Sequence, residues 1–524
     1  MGTVFSYIVT VALTFIISKF GQRFIWVNKK PDGTPKAPWP PSPSGLPYYT
    51  NAYQVFQKES YHALTRWSKE LGDLYSVLIG QKRVIILNTP ELVQKALVEK
   101  EQLNSSRLAS DTMERLLTDQ CKTIFTLEFS FVWSRLRRAV FAAIAKPSEV
   151  ISKHMKESAK SLLFGISENG DYLTAKNLRQ LVNMVAMDSA LTLVYGEQKQ
   201  KNLTMMVTII KELEALEERQ TRKYNRMGQF FSFVNSWLDV MSLFTLNSEN
   251  LSHRNAILEA VLPLFTNVYQ VRGDVPLSEE EKRKLSLAGP DRKIDSIVKS
   301  LLNIESSKND SEVVQFTKDE ILVNSVHMVL HAYTYLASTL FTLIQRLATE
   351  TEFQTRLSES EDKTTLALAF VRESMRMDPP NPLLGYGPRT DYEFEVEGKK
   401  YRVDTDSELV VNVNAIHQHS RYFPHPEQFD PDRFLKSEKK TISLMVPDNT
   451  VKTARDHLAF GAGRRVCLGS RVSEDLLVTT LIQLNKAFRL EGGDVTEKIE
   501  HATNIWHWTG RTETKGSTIH FIKQ

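Results

Sequence analysis

The residues with the clearest chemical potential lie in Phe460-Gly-Ala-Gly-Arg-Arg-Val-Cys-Leu-Gly469. Gly461 and Gly463 permit a tight turn through positive φ. Cys467 then opens a helix carrying Leu476, Leu477, Leu481, Ile482 and Leu484. A helix N-terminus and neighbouring Arg464 and Arg465 favour thiolate over thiol, and the thiolate is the form that attacks carbon or binds metal. A lone cysteine is usually an inert buried thiol, but three glycines and two arginines around this one point to chemistry. The other cysteine, Cys121, has no such surroundings. Two cysteines exclude a disulfide-stapled framework, and without a CxxC pair or a Cys/His cluster a structural zinc site has no ligands.

A second charged pair, Glu373 and Arg376, sits in a helix ended by Pro379-Pro380. Residues three apart share a helix face, so the two can pair. Taken alone, ExxR is a common surface ion pair. A third cluster, His331 and Tyr335, is four apart on one face of a long helical pattern. That pattern starts at the capping box Thr317-Lys-Asp-Glu320 and runs to about Thr349.

The spacing Phe460-x-x-Gly463-x-Arg465-x-Cys467-x-Gly469 resembles the haem-binding loop of cytochrome P450 enzymes. The resemblance covers essentially the whole chain and has the look of the microsomal eukaryotic type, fungal members among them. It implies a mainly α fold with a small β part, a helical bundle around haem b. It implies that Cys467 is the axial thiolate ligand of the haem iron, donating electron density that promotes O–O cleavage. Arg465 would pair with a haem propionate, Phe460 would pack beside the sulfur, and Gly469 would let the helix pass close under the porphyrin. Glu373, Arg376 and the Arg433 of Phe429-Asp-Pro-Asp-Arg-Phe434 would form a structural Glu–Arg–Arg triad, a guanidinium holding the carboxylate with two hydrogen bonds. Trp133 and Arg137, in Trp-Ser-Arg-Leu-Arg, would reach a propionate, as would Arg389 in Gly-Pro-Arg-Thr.

The long helix departs from the family pattern. Where members usually carry Ala/Gly-Gly-x-Asp/Glu-Thr, this chain reads His331-Ala-Tyr-Thr-Tyr335. Thr334 stands in the acid's place and Tyr335 in the threonine's. Ordered water, polar groups of the substrate, or His331 and Tyr335 would then relay protons, histidine titrating near neutral pH. The departure also keeps open a haem-thiolate lyase, isomerase or oxidative coupling enzyme, and a haem-binding non-enzyme.

Several elements must position these groups. Hydrophobic residues are 41% and charged residues 24% of the 524, which excludes a mostly disordered chain. Net charge is +4, too balanced to argue for nucleic acid. Residues 1–27 read as an N-terminal transmembrane anchor, apolar and uncharged through Ser18, with Lys19, Arg23, Lys29 and Lys30 after the run. Residues 28–47 read as a basic, proline-rich hinge, and 48–524 as one catalytic domain. This layout implies a single pass through the endoplasmic reticulum membrane with the catalytic domain cytosolic. Leu74–Leu78 and Val84–Leu87 read as a hairpin, and Leu409–Val413 as a further β run. Ser278–Lys308 reads as a surface loop plus a short helix. Arg107–Phe125, Asn202–Phe233, Pro382–Tyr386 and Trp506-His-Trp508 are candidate pocket walls for a lipophilic ligand.

The implied activity is that of a monooxygenase. It would oxidise a lipophilic or aromatic small molecule with O2, in fungal secondary metabolism, using electrons from an NADPH-dependent cytochrome P450 reductase. Arg135, Arg138, Arg464 and Arg471 would offer that acidic partner a basic surface.

Overall fold

A computed structural model describes residues 36–45, 51–55, 60–79, 82–106, 123–144, 149–197, 201–220, 246–270, 296–304, 316–435, 457–492, 500–501, 512–513 and 518–524. The expected anchor at 1–27, Cys121, most of the 107–125 segment and Trp506-His-Trp508 lie outside these residues. Among the described residues no helix is long and apolar enough to cross a membrane.

The helical part is organised on Lys318–Thr349, a helix of 32 residues. Its start is fixed by reciprocal bonds: Glu320 N donates to Thr317 Oγ1 at 3.1 Å, and Thr317 N donates to the Glu320 carboxylate at 2.9 Å. The helix is apolar on most faces and is enclosed on most sides, as an all-round hydrophobic helix must be. Ala175–Tyr195 packs along it. Tyr195 and Ser325 share a buried 2.7 Å hydroxyl bond, and burial pushes the Tyr195 hydroxyl above its ordinary pKa. Ser470–Ala487 packs against both Glu149–Glu168 and Lys363–Met377.

The largest sheet among the described residues has four strands, in the order Leu74–Ile79, Lys82–Leu87, Glu408–Asn412, Leu383–Tyr386. The first two are the expected hairpin, in antiparallel register with Val77 opposite Val84. Lys82–Leu87 then runs parallel to Glu408–Asn412, with Ile86 opposite Val410. The last strand is antiparallel, with Leu384 opposite Val411. Leu384 and Tyr386, two apart, share one face.

Two segments pack more closely than their composition suggests. In the charge-rich stretch 278–308, the expected short helix is Ile297–Ile304, and it is buried. Its Ile297, Val298, Leu301 and Leu302 are each at most 3% exposed. Ser300 also donates to the Ala139 carbonyl at 2.6 Å. The apolar i, i+1, i+4, i+5 stripe outweighs the polar flanks. The described part of the proline-rich run is bonded to the folded body. Ser76 N donates to Pro41 O at 2.6 Å, and Arg402 N to Pro38 O at 3.0 Å. Trp39 meets the guanidinium groups of Arg83 at 5.0 Å and Arg402 at 4.2 Å.

Candidate functional site

The cysteine loop is closed by its own backbone. Gly461 N donates to Leu458 O at 2.8 Å, and Cys467 N to Phe460 O at 2.9 Å. Gly461 and Gly463 take φ of +76° and +64°, as the turn requires. Gly463 has a second constraint: a Cβ there would overlap the Leu97 carbonyl. Gly469 caps the 18-residue helix Ser470–Ala487. Cys467, just before the cap, carries an exposed thiol.

Arg465 organises the loop from inside. Its guanidinium donates to the carbonyls of Ser105 at 2.7 Å, Ile124 at 2.9 Å and Leu127 at 2.5 Å. Trp133 lies beneath it at 4.4 Å, with Arg137 at 5.4 Å from the same ring. Arg137 donates to Val466 O at 2.7 Å, and Trp133 Nε1 to Ile124 O at 3.0 Å. Trp133, Arg137 and Arg465 are thus one cluster beside the cysteine. Arg389 is elsewhere: its side chain is exposed and it is not among the residues lining the cavity.

A cavity of about 330 Å³ opens onto Cys467, Phe460 and Gly469, within the ~300–1,000 Å³ usual for small-molecule sites. The long helix lines it with His331, Ala332, Tyr335, Leu336 and Thr339, and the sheet with Leu384 and Tyr386. Thr334 does not join this wall. It precedes Tyr335 by one residue, so it is turned about 100° around the helix. Thr339, one turn beyond Tyr335, takes a place on the wall that the sequence did not single out, and its hydroxyl donates to Tyr335 O at 2.8 Å.

Behind the loop, Glu373 and Arg376 are both 0% exposed. Arg376 Nε donates to Glu373 Oε2 at 2.7 Å and Nη2 to Oε1 at 2.8 Å. Arg433 Nε adds 3.1 Å to the same Oε1, and Asp430 N adds 2.9 Å. The pattern also ties in a residue without a sequence signal, His417. Arg376 Nη1 donates to His417 O at 2.9 Å. The His417 ring bridges Arg376 O at 3.1 Å and Leu458 N at 2.9 Å. Since Leu458 N–H donates to Nε2, Nδ1 carries the hydrogen given to Arg376 O. The triad therefore reaches the first residues of the cysteine loop through one neutral imidazole.

Burial, and then the charge of Arg376, hold the His417 pKa down at about 3. In the unfolded chain the same ring takes a proton below about 6.5. Between these values the unfolded state binds the extra proton. Stability from this group is complete above about 6.5 and falls as pH drops toward 3, by up to ~1.4 kcal/mol per pH unit. Urea midpoints measured at neutral and mildly acidic pH should show that fall, and His417→Gln should flatten it. An equal slope in both proteins would remove His417 as its source.

These residues fit a haem. The cavity offers one thiol, exposed at its wall, two arginines beside it to face carboxylates, and mostly apolar side chains elsewhere.

The model of the family described as "Cytochrome P450" matches residues 40–507. Cytochrome P450 monooxygenase 231 of Postia placenta is 21% identical, over 88% of this chain and 84% of that protein. Tabersonine 16-hydroxylase 1 of Catharanthus roseus is 23% identical, over 94% of this chain and 93% of its own length. A zebrafish cytochrome P450 solved with progesterone superposes with a TM-score of 0.65 at 17% identity, over 88% of this chain and 99% of that one. The chain therefore belongs to the cytochrome P450 family of haem-thiolate oxidoreductases, and named monooxygenases are among the members similar to it.

Proposed function

We propose that the protein inserts one oxygen atom from O2 into a lipophilic or aromatic small molecule, in fungal secondary metabolism. Electrons come from an NADPH-dependent cytochrome P450 reductase. Cys467 is the axial ligand of the haem iron in this reading. Arg465, Arg137 and Trp133 serve the propionates, with Arg389 contributing only after moving from its exposed position. Phe460 packs beside the sulfur, and Gly469 keeps the helix start open to the ring. Glu373, Arg376 and Arg433 are structural. The observation that carries the reading is the exposed Cys467 thiol at the wall of a largely apolar cavity that also contains His331 and Tyr335.

Haem, when bound, supplies the redox chemistry, and the chain supplies position and exclusion of water. Phe125, Leu336 and Leu384 make the cavity apolar, which favours a lipophilic ligand and strengthens the few polar contacts inside it. Tyr335 brings a hydroxyl to this wall, and His331 an imidazole. Tabersonine 16-hydroxylase 1, a hydroxylase by name, supports the reaction class, and at 23% identity it does not carry its substrate over. The anchor at residues 1–27 would hold the enzyme on the endoplasmic reticulum membrane, with the catalytic domain cytosolic. Arg138 and Arg471 are exposed and Arg135 half-exposed on the helices flanking the loop, a surface suited to an acidic reductase. Arg464 is paired with Glu101.

A second reading has one observation in its favour: Thr334 and Tyr335 replace the acid and alcohol of the long helix. A lyase, isomerase or coupling enzyme could do without that pair. Lipophilic and aromatic compounds that shift the Soret band on binding should be turned over with reductase, NADPH and isotopically labelled O2. Label in an NADPH-dependent product is the expected result. Product that forms without NADPH, or without label, would replace monooxygenation by the second reading.

A further inference from the structure

Behind His331, the long helix carries another histidine one turn earlier. His331 Nε2 and His327 Nε2 are 3.0 Å apart. Two imidazole nitrogens at that distance share one hydrogen, one ring donating and the other accepting. His327 is 2% exposed, and its other nitrogen, Nδ1, lies 3.2 Å from Thr123 Oγ1. Thr123 is 0% exposed, and its Oγ1 is 3.0 Å from Thr126 Oγ1. Thr126 is half-exposed. Four polar side chains in hydrogen-bond contact thus lead from the protein surface to the cavity wall.

The line is held in place from both sides. Ile124 N donates to Asn324 Oδ1 at 2.9 Å, which pins the threonine loop to the long helix three residues before His327. Phe125 stacks on His331 with ring centroids 4.0 Å apart and planes 5° from parallel. A buried histidine pair can be plain packing. Here each ring has a donor–acceptor partner in the direction a proton would travel, and one end of the line is at the cavity.

We propose that Thr126, Thr123, His327 and His331 form a proton relay into the cavity, in place of the missing acid and alcohol. The relay rests on the monooxygenase reading, in which protons are consumed at the cavity. In the loaded polarity Thr126 O–H donates to Thr123 Oγ1, and Thr123 O–H to His327 Nδ1. His327 Nε2–H then donates to His331 Nε2, so His331 carries its hydrogen on Nδ1. When His331 gives that proton to an acceptor in the cavity, every proton behind it moves one place. His331 takes the one from His327, His327 the one from Thr123, Thr123 the one from Thr126, and Thr126 one from water. One proton enters, one leaves, no electron moves, and no residue gains net charge. Both imidazoles end as the opposite tautomers and reset by reorientation of the rings and hydroxyls, which moves no proton back.

The test reads the cavity without turnover. In the reduced, carbon monoxide-loaded protein, the infrared C–O stretch responds to hydrogen donors near the gas. Thr123→Val and His327→Gln should keep the thiolate-type Soret band yet move the C–O stretch to higher wavenumber, because the hydrogen on His331 Nδ1 is no longer held there. Thr123→Ser, which keeps the hydroxyl, should restore the wild-type stretch, and a merely structural role for Thr123 would not produce this pattern. An unchanged stretch in both Thr123→Val and His327→Gln would overturn the relay. So would a resting ferric spectrum of a nitrogen-ligated haem that disappears in His331→Ala, since His331 would then be an iron ligand. Lack of a thiolate-type Soret band in the wild type is a separate failure, that of the haem reading itself, and the relay would fall with it.

Discussion

Glu373→Ala will cost roughly 3–5 kcal/mol of stability, the range for leaving one member of a buried ion pair uncompensated. The carboxylate accepts from Arg376 Nε and Nη2, from Arg433 Nε and from Asp430 N. All of these donors lose their acceptor at once. Arg376 is 0% exposed and cannot turn to water for compensation. The loss spreads because Arg376 also holds His417, which in turn holds Leu458 at the head of the cysteine loop. Arg433→Ala should cost less. Its side chain is 12% exposed, and the Glu373–Arg376 bonds survive its removal. Chemical unfolding of the two variants measures the order. A Glu373→Ala protein within about 1 kcal/mol of wild type would contradict the assignment of a stranded charge.

Gly463→Ala will be nearly as damaging, for a steric reason. Its φ of +64° lies where an L-residue is strained by roughly 1–2 kcal/mol. The added methyl would also overlap the Leu97 carbonyl, a backbone atom that moves only with its helix. Forced shifts of this kind cost about 1–3 kcal/mol more. The loop presents Cys467 to the cavity, so haem content should fall further than global stability does. Gly385→Ala is the control, with open space around its Cβ position. Equal haem content in Gly463→Ala and Gly385→Ala would show that the loop does not need that close approach.

The cysteine loop could be read from the sequence because its glycines, arginines and sulfur are consecutive and their constraints are local. The same holds for the Thr317–Glu320 capping box, the hairpin, and the pairing of Glu373 with Arg376. Contacts made across the fold were hidden. His417 meets Arg376 and Leu458 through separations of 41 residues each way, and Thr123 meets His327 across 204. His327 had one sequence signal, its i, i+4 relation to His331, and nothing linear pointed to Thr123 as its partner. Thr334, placed by the family register where the acid stands, is not among the residues lining the cavity, because a register assigns position without assigning the face of the helix. The burial of Ile297–Ile304 was hidden because the charges of its neighbours masked a short apolar stripe.

In the proposed function Cys467 supplies a thiolate to haem iron. Its most direct measurement is the absorption spectrum of the reduced protein with carbon monoxide, in wild type and Cys467→Ala. The expected result is a thiolate-type Soret band in the wild type that is absent from the folded Cys467→Ala variant. A folded wild type without the band, or a Cys467→Ala variant that keeps it, would contradict the assignment.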